Sequence, residues 1–220
     1  MEQVIDRRTE LEFSRPLNAG AQIVSYLAHP LFIPIYMSWI LLFQHPINKL
    51  LLPPELRIRI LAMVFINTVL FPALIVFLLK RLGFIKSLFM ETTKERIIPL
   101  VAGIIFYFWA YYVSKNLDVV PAAMQQWLLG VFLCSCSAMF INIWKKISLH
   151  GIGMGGFVGF CAWQQATDIN WPHQWLIISL LVAGLVGTAR LIRKAHTPSD
   201  IYAGYIAGII CQVAAGIIFL

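Results

Sequence analysis

Long runs of apolar residues constrain this chain more than any other feature of its sequence. A helix needs about 20 apolar residues to cross the hydrocarbon layer of a bilayer, and several runs in this chain of 220 residues reach that length. Charged residues make up only 12% of the sequence, against about 25% in a typical soluble domain. The sequence therefore predicts an all-α fold, a polytopic integral membrane helical bundle.

The apolar runs predict about six to seven transmembrane helices. The predicted ranges are 21–43, 57–79, 97–115, 122–144, 151–167, 174–192 and 200–220. The run at 151–167 is the weakest, because it is short and rich in glycine. Residues 1–20 form a polar segment of mixed charge that does not resemble a cleavable signal peptide. We therefore expect residues 21–220 to form a single transmembrane domain.

Glycines recur at four-residue spacing in two of the predicted helices. Small residues at this spacing allow helix backbones to approach each other closely in a membrane. Tight helix packing is the interpretation we prefer for them, and they are Gly151, Gly155, Gly159, Gly204 and Gly208.

Basic residues are distributed unevenly between the two predicted faces of the membrane. If the N-terminus lies on a face called side A, the connections near 80–96, 145–150 and 190–199 lie there too. Thirteen of the 17 basic residues then fall on side A and four on the other face, side B. The positive-inside rule predicts a cell (inner) membrane protein with side A in the cytoplasm. The net charge of +7 thus suits anionic lipid headgroups better than nucleic acid.

Three polar clusters interrupt the apolar pattern, at residues 94–99, 145–151 and 189–200. Two predicted helices separate each cluster from the next, so all three return to side A. The third cluster sets Arg190, His196 and Asp200 between two long apolar runs, where charge is costly. A histidine with a carboxylate four residues later and an arginine upstream can carry out covalent attack on a phosphate ester.

Helix capping is a second interpretation of the third cluster. Thr197 would be the N-cap, Pro198 the first helical residue and Asp200 the third. Both roles of the carboxylate are geometrically compatible, and the register with Arg190 and His196 favours the functional one.

Other polar residues at the segment ends have plainer interpretations. Arg193 and Lys194, like Lys145 and Lys146, are expected to be interfacial anchors. His29 precedes Pro30 near the side A end of the first helix. A histidine at membrane depth is a functional candidate, although a kink or a packing role is equally compatible.

The third cluster resembles a signature of the type-2 phosphatidic acid phosphatase, or lipid phosphate phosphatase, superfamily, which is related to the vanadium haloperoxidases. Three signatures define that superfamily: K-x6-R-P, P-S-G-H and S-R-x5-H-x3-D. The third is matched at Arg190, His196 and Asp200 and departs from the pattern only at Ala189, where the family has serine.

The other two signatures are matched in part. Ser148 and His150 keep the spacing of the second, with isoleucine and leucine in place of its proline and glycine. The first is compressed, because Lys94 lies two residues before Arg96 and the proline follows three residues after the arginine. The resemblance spans about residues 90–210.

The resemblance implies that the domain 21–220 is a metal-independent phosphoric ester hydrolase acting on a lipid phosphate within the bilayer. His196 would attack phosphorus, Asp200 would hold its imidazole, and His150 would protonate the leaving group and later activate water. No cofactor and no metal are implied. The implied phosphate-binding groups are Arg190, Arg96, Lys94, Ser148 and Gly151.

Two other functions remain compatible with the sequence. A catalytically silent member of the same fold would act as a lipid-binding or scaffold protein. A small transporter fits less well, because the charges cluster at one face and not near the midplane. The sequence leaves open the identity of the lipid, the oligomeric state and the side of the membrane, since familiar members of the resembled family face away from the cytoplasm.

Overall fold

A computed structural model of the chain describes residues 13–84, 93–145 and 147–220, without the side chains of residues 93 and 94. All regular structure in these ranges is helical, which confirms the predicted all-α bundle. The helices are α1 Arg15–Leu27, α2 Ile33–Phe43, α3 Pro46–Leu51, α4 Pro54–Phe65, α5 Phe71–Arg81, α6 Thr93–Lys115, α7 Ala122–Asn142, α8 Leu149–Thr167, α9 Gln174–Ile192 and α10 Pro198–Ile218.

Helices α4 and α5 form one continuous span, joined by the π-helical turn Ile66–Leu70. Pro72 follows this turn closely. Proline has no N–H to donate to the carbonyl of Thr68, four residues earlier, and its ring crowds that carbonyl. A widened turn accommodates both effects without ending the helix.

Within the described residues, five helical segments are long and apolar enough to cross a membrane. They confirm five of the predicted helices. The segments are Pro54–Arg81, Glu95–Lys115, Ala122–Asn142, Gln174–Ile192 and Pro198–Ile218. The weakest predicted helix, 151–167, is present as α8, but its glycines and glutamines leave it less apolar than the five spans.

The first predicted helix, 21–43, is wrong as a single helix. The chain leaves the helical path at residues 28–32, between α1 of 13 residues and α2 of 11 residues. Pro30 is the physical reason, because it cannot donate a backbone hydrogen bond and disfavours the α conformation of His29 before it. Neither piece spans the hydrocarbon layer alone, since 13 residues of helix extend only about 20 Å.

The backbones of α8 and α10 lie in direct contact, as the glycine spacing predicted. A Cβ atom added to Gly155 would overlap the carbonyl oxygen of Tyr205, and one added to Gly208 would overlap that of Ile152. This packing brings the first turns of the two helices together. Polar residues that begin α8 and α10 are thereby placed side by side.

We expect Gly208→Ala to lower the free energy of unfolding by about 1–3 kcal/mol, the usual effect of overpacking. The new methyl group would meet backbone atoms of α8, which cannot move aside independently. Thermal unfolding in detergent measures the effect, with Gly184→Ala on α9 as the matched control. Apart from the neighbouring backbone of α9 itself, no described atom lies within 4 Å of a Cβ at Gly184, so its substitution should be neutral or stabilising. Equal destabilisation by both variants would contradict this account of the α8–α10 contact.

Candidate functional site

The three polar clusters meet at one end of the bundle. Arg96 on α6 donates from Nη1 to the carbonyl oxygen of Ile147 at 3.3 Å. The backbone N–H of Ser148 donates to the carbonyl oxygen of Asp200 at 3.4 Å. His45 and Asp168, from connections predicted on side B, pair with each other at 2.8 Å. Both sets of contacts agree with the predicted alternation of the chain between two faces.

The third cluster forms a tight connection between α9 and α10. Lys194 adopts a positive φ of 49°, which turns the chain after the end of α9. The capping interpretation is confirmed: Thr197 Oγ1 accepts from the N–H of Asp200, and Asp200 Oδ2 accepts from the N–H of Thr197 at 3.0 Å. The first turn of α10 therefore fixes the position of the Asp200 carboxylate.

His196 faces the same carboxylate. Its Nδ1 lies 3.9 Å from Asp200 Oδ2, and its side chain is only 3% exposed. This separation is about 1 Å longer than a hydrogen bond between these atoms. The Asp200 carboxylate can thus cap α10 and face the ring of His196 at the same time.

Lys145, expected to be an interfacial anchor, also contacts the third cluster. Its Nζ lies 2.9 Å from Asp200 Oδ1 and donates to Ser199 Oγ at 3.3 Å. The side chain remains 58% exposed, so solvent screens the ion pair. Lys145 nevertheless belongs to the site, because it balances the charge of the carboxylate that faces His196.

Ser148 and Gly151 lie at the site and bond to each other. Ser148 is fully buried and is the N-cap of α8, its Oγ accepting from the N–H of Gly151 at 3.1 Å. The Gly151 amide, expected to bind phosphate, is therefore occupied by the cap. The hydroxyl hydrogen of Ser148 remains able to donate to a ligand.

Two guanidinium groups lie at this end of the bundle. Arg96 is buried and Arg190 is half-buried, and the positive charges of Arg96 and Arg193 act on Arg190. The Nε of Arg190 is buried and has no hydrogen-bond partner in the described part of the chain. Like charges in a desolvated position repel each other, so a bound anion would stabilise the arrangement. Lys94 was expected to join them, but its side chain lies outside the described residues.

His29 is the residue whose role the sequence did not define. Its ring lies edge-on to that of His150, with centroids 5.7 Å apart and planes at 82°. Burial, together with the charge of Arg190, lowers the pKa of His29 below its ordinary value. His196 and Arg190 also act electrostatically on His150. The site thus contains three histidines, and the position of His29 at membrane depth was the sign of the third in the sequence.

No protein-family model, curated protein or solved structure matches this chain. In the part of the chain that the structure describes, no group of three or more His, Cys, Asp or Glu side chains is placed to hold a metal ion. The site is therefore interpreted from its own chemistry. A histidine beside a carboxylate, a second histidine and two arginines can bind a phosphate and transfer its phosphoryl group.

Proposed function

We propose that this protein is an integral membrane lipid phosphate phosphatase that hydrolyses a phosphomonoester or diphosphate of a lipid through a phosphohistidine intermediate. One observation carries the proposal: the Nε of Arg190, which has no partner within the described ranges, lies at the same end of the bundle as Arg96, His150 and the His196–Asp200 pair. The resemblance of residues 190–200 to the third signature of the type-2 phosphatidic acid phosphatase superfamily supports the same chemistry.

The first half of the reaction transfers the phosphoryl group to His196. Because the carboxylate of Asp200 faces Nδ1, the ring proton is favoured on Nδ1, and Nε2 keeps the lone pair that attacks phosphorus. A bond forms between Nε2 and phosphorus while the bond from phosphorus to the lipid oxygen breaks, and His150, charged as imidazolium when the phosphate is bound, gives that oxygen its second ring proton and becomes neutral. The His196–Asp200 contact would shorten on substrate binding, as catalytic contacts commonly do.

The second half of the reaction releases phosphate. Water attacks phosphorus, His150 takes a proton from the water, and the bond between phosphorus and Nε2 of His196 breaks. Arg96 and Arg190 would neutralise the non-bridging oxygens in both steps. Neither step requires a metal or an organic cofactor.

The substrate headgroup would bind at the end of the bundle while its hydrocarbon tail lies among the helices. Apolar side chains of α9 and α10 are exposed along their length, among them Leu181, Leu185, Ile206 and Ile210. The bias of basic residues supports a location in the cell (inner) membrane with the site facing the cytoplasm.

Phosphate release by the purified protein tests the proposal directly. The substrates would be a panel that includes phosphatidic acid and an isoprenoid diphosphate, assayed in detergent with a metal chelator present. We expect phosphate release that orthovanadate inhibits, because vanadate adopts the five-coordinate geometry of phosphorus under attack. Binding of a lipid phosphate without release would favour the silent scaffold, and liposome flux that persists after His196→Ala would favour a transporter.

A further inference from the structure

The break in the first apolar run frees a backbone carbonyl that is used inside the site. In an uninterrupted helix, the carbonyl of Ser25 would accept from the N–H of His29, four residues later. The break sends that N–H to the carbonyl of Tyr26 instead, at 3.2 Å. The Ser25 oxygen lies 3.0 Å from Nε2 of His150. A carbonyl left unpaired near the end of α1 thus accepts a hydrogen bond from a histidine on α8.

This contact fixes the tautomer of His150. A carbonyl oxygen can only accept, so Nε2 of His150 must carry the proton that it donates to Ser25. Neutral imidazole has one proton on its two nitrogens, which leaves the lone pair on Nδ1. Nδ1 is then the ring atom of His150 that can exchange a proton with a substrate or with water.

His29 is held in a defined orientation beside this ring. Its Nδ1 accepts from the N–H of Leu31 at 3.3 Å, and its ring also lies edge-on to Phe32, with centroids 6.2 Å apart. The backbone of the break thereby sets the orientation of the His29 ring. That ring contacts His150 at 5.7 Å between centroids, so it opposes rotation of His150 about its side-chain bonds.

We propose that residues 25–32 position His150, with the Ser25 carbonyl fixing its Nε2–H tautomer and the His29 ring fixing its rotation, so that Nδ1 exchanges the proton in both half-reactions. This inference rests on the proposed function. Among the described residues, the charged or titratable groups that act on His150 are Arg190 on α9, His196 in the α9–α10 connection and His29 itself. His29 is a positioning residue, because it acts through His150.

Kinetics of His29 variants test the rotational part of the inference. We expect His29→Ala to lower kcat about 10- to 100-fold with KM changed less than about threefold, because a misplaced proton donor slows the chemical steps without weakening binding. The limb of the pH–rate profile that belongs to His150 should move to higher pH, since admitted water favours charged imidazole. His29→Phe retains an aromatic edge and should recover most of kcat. His173→Ala, at an exposed histidine on side B, is the matched control and should change neither kcat nor the profile.

Nitrogen-15 NMR of histidine-labelled protein in nanodiscs tests the tautomer without any activity. Comparison with His150→Gln identifies the signals of His150, and we expect one neutral tautomer with the proton on Nε2. Pro30→Ala, which permits a longer α1, should produce a mixture of tautomers. A His150 with its proton on Nδ1 in the unaltered protein would overturn the inference, whether or not the protein releases phosphate.

The two proposals fail in different ways. If His150→Ala abolishes phosphate release but His29→Ala leaves kcat and the pH profile unchanged, the positioning role is wrong and the phosphatase proposal stands. If the unaltered protein releases no phosphate from any lipid phosphate, the phosphatase proposal fails, and the NMR measurement still decides the tautomer of His150.

Discussion

Replacing His196 with alanine is expected to reduce phosphate release by a factor on the order of 10⁴ or more, the size of effect that removal of a covalent nucleophile produces. His196 is the only proposed group that bonds to phosphorus, and its side chain is almost fully enclosed beside Asp200. Water could still attack a phosphate held by the two arginines, which sets the residual rate. Substrate binding should change much less than kcat, because the arginines are retained.

The covalent intermediate separates the roles of His196 and His150. His150→Ala lacks the group that activates water in the second step. With a substrate whose leaving group departs without a proton from His150, acid-labile phosphoprotein should therefore accumulate. His196→Ala should give no phosphoprotein with any substrate. Labelled phosphate in rapidly denatured samples, analysed by mass spectrometry, would identify the modified histidine.

His173→Ala serves here too as the matched control. It removes an exposed histidine at the opposite end of the bundle and should keep full activity. The folded state of each variant is checked by its elution as a single species in detergent and by its thermal unfolding. Full turnover by a folded His196→Ala protein would eliminate the phosphohistidine mechanism.

The long apolar runs predicted the helical class and five spans, because crossing a bilayer imposes a length and composition that few other structures satisfy. They did not predict the break at residues 28–32. Transmembrane helices often tolerate proline, so the presence of Pro30 in an apolar run does not tell a kinked helix from two separate helices. The partner of the carbonyl that the break frees, His150, lies far along the chain, and no pattern within the run indicates it.

Spacing along the sequence predicted the contacts between residues that are near neighbours in the chain, such as His196 and Asp200. His196 and Asp200 are four residues apart at the start of a helix, so one backbone geometry brings them together. Lys145 reaches Asp200 from a different connection, and no local pattern encodes such a pair. The bond between Ser148 and Gly151 could have been predicted, because a serine directly before a helix commonly caps it and occupies the amide three residues on.

Arg190→Ala should lower kcat/KM by a factor on the order of 10²–10³, the effect of removing one preorganised donor from a developing oxyanion. Arg190→Lys should recover only part of this loss, since an ammonium group cannot reproduce the planar pair of donors that a phosphate accepts. Arg193→Ala is the matched control. Arg193 is exposed and donates from Nη1 to Gln22 Oε1 at 3.1 Å, so its loss should leave kcat/KM within about threefold, as expected for a surface contact.

Thermal unfolding of the same variants distinguishes a ligand-binding arginine from a structural one. The Nε of Arg190 is buried without a partner among the residues that the structure describes, and the charge of Arg96 acts on this arginine, so Arg190→Ala should leave Tm unchanged or raise it. Orthovanadate should raise the Tm of the unaltered protein in proportion to ln(1 + [ligand]/Kd), and should raise that of Arg190→Ala much less. A structural arginine would behave in the opposite way: its removal would lower Tm, and vanadate would stabilise both proteins equally. Loss of activity together with retained or increased stability is therefore the result that assigns Arg190 to phosphate binding.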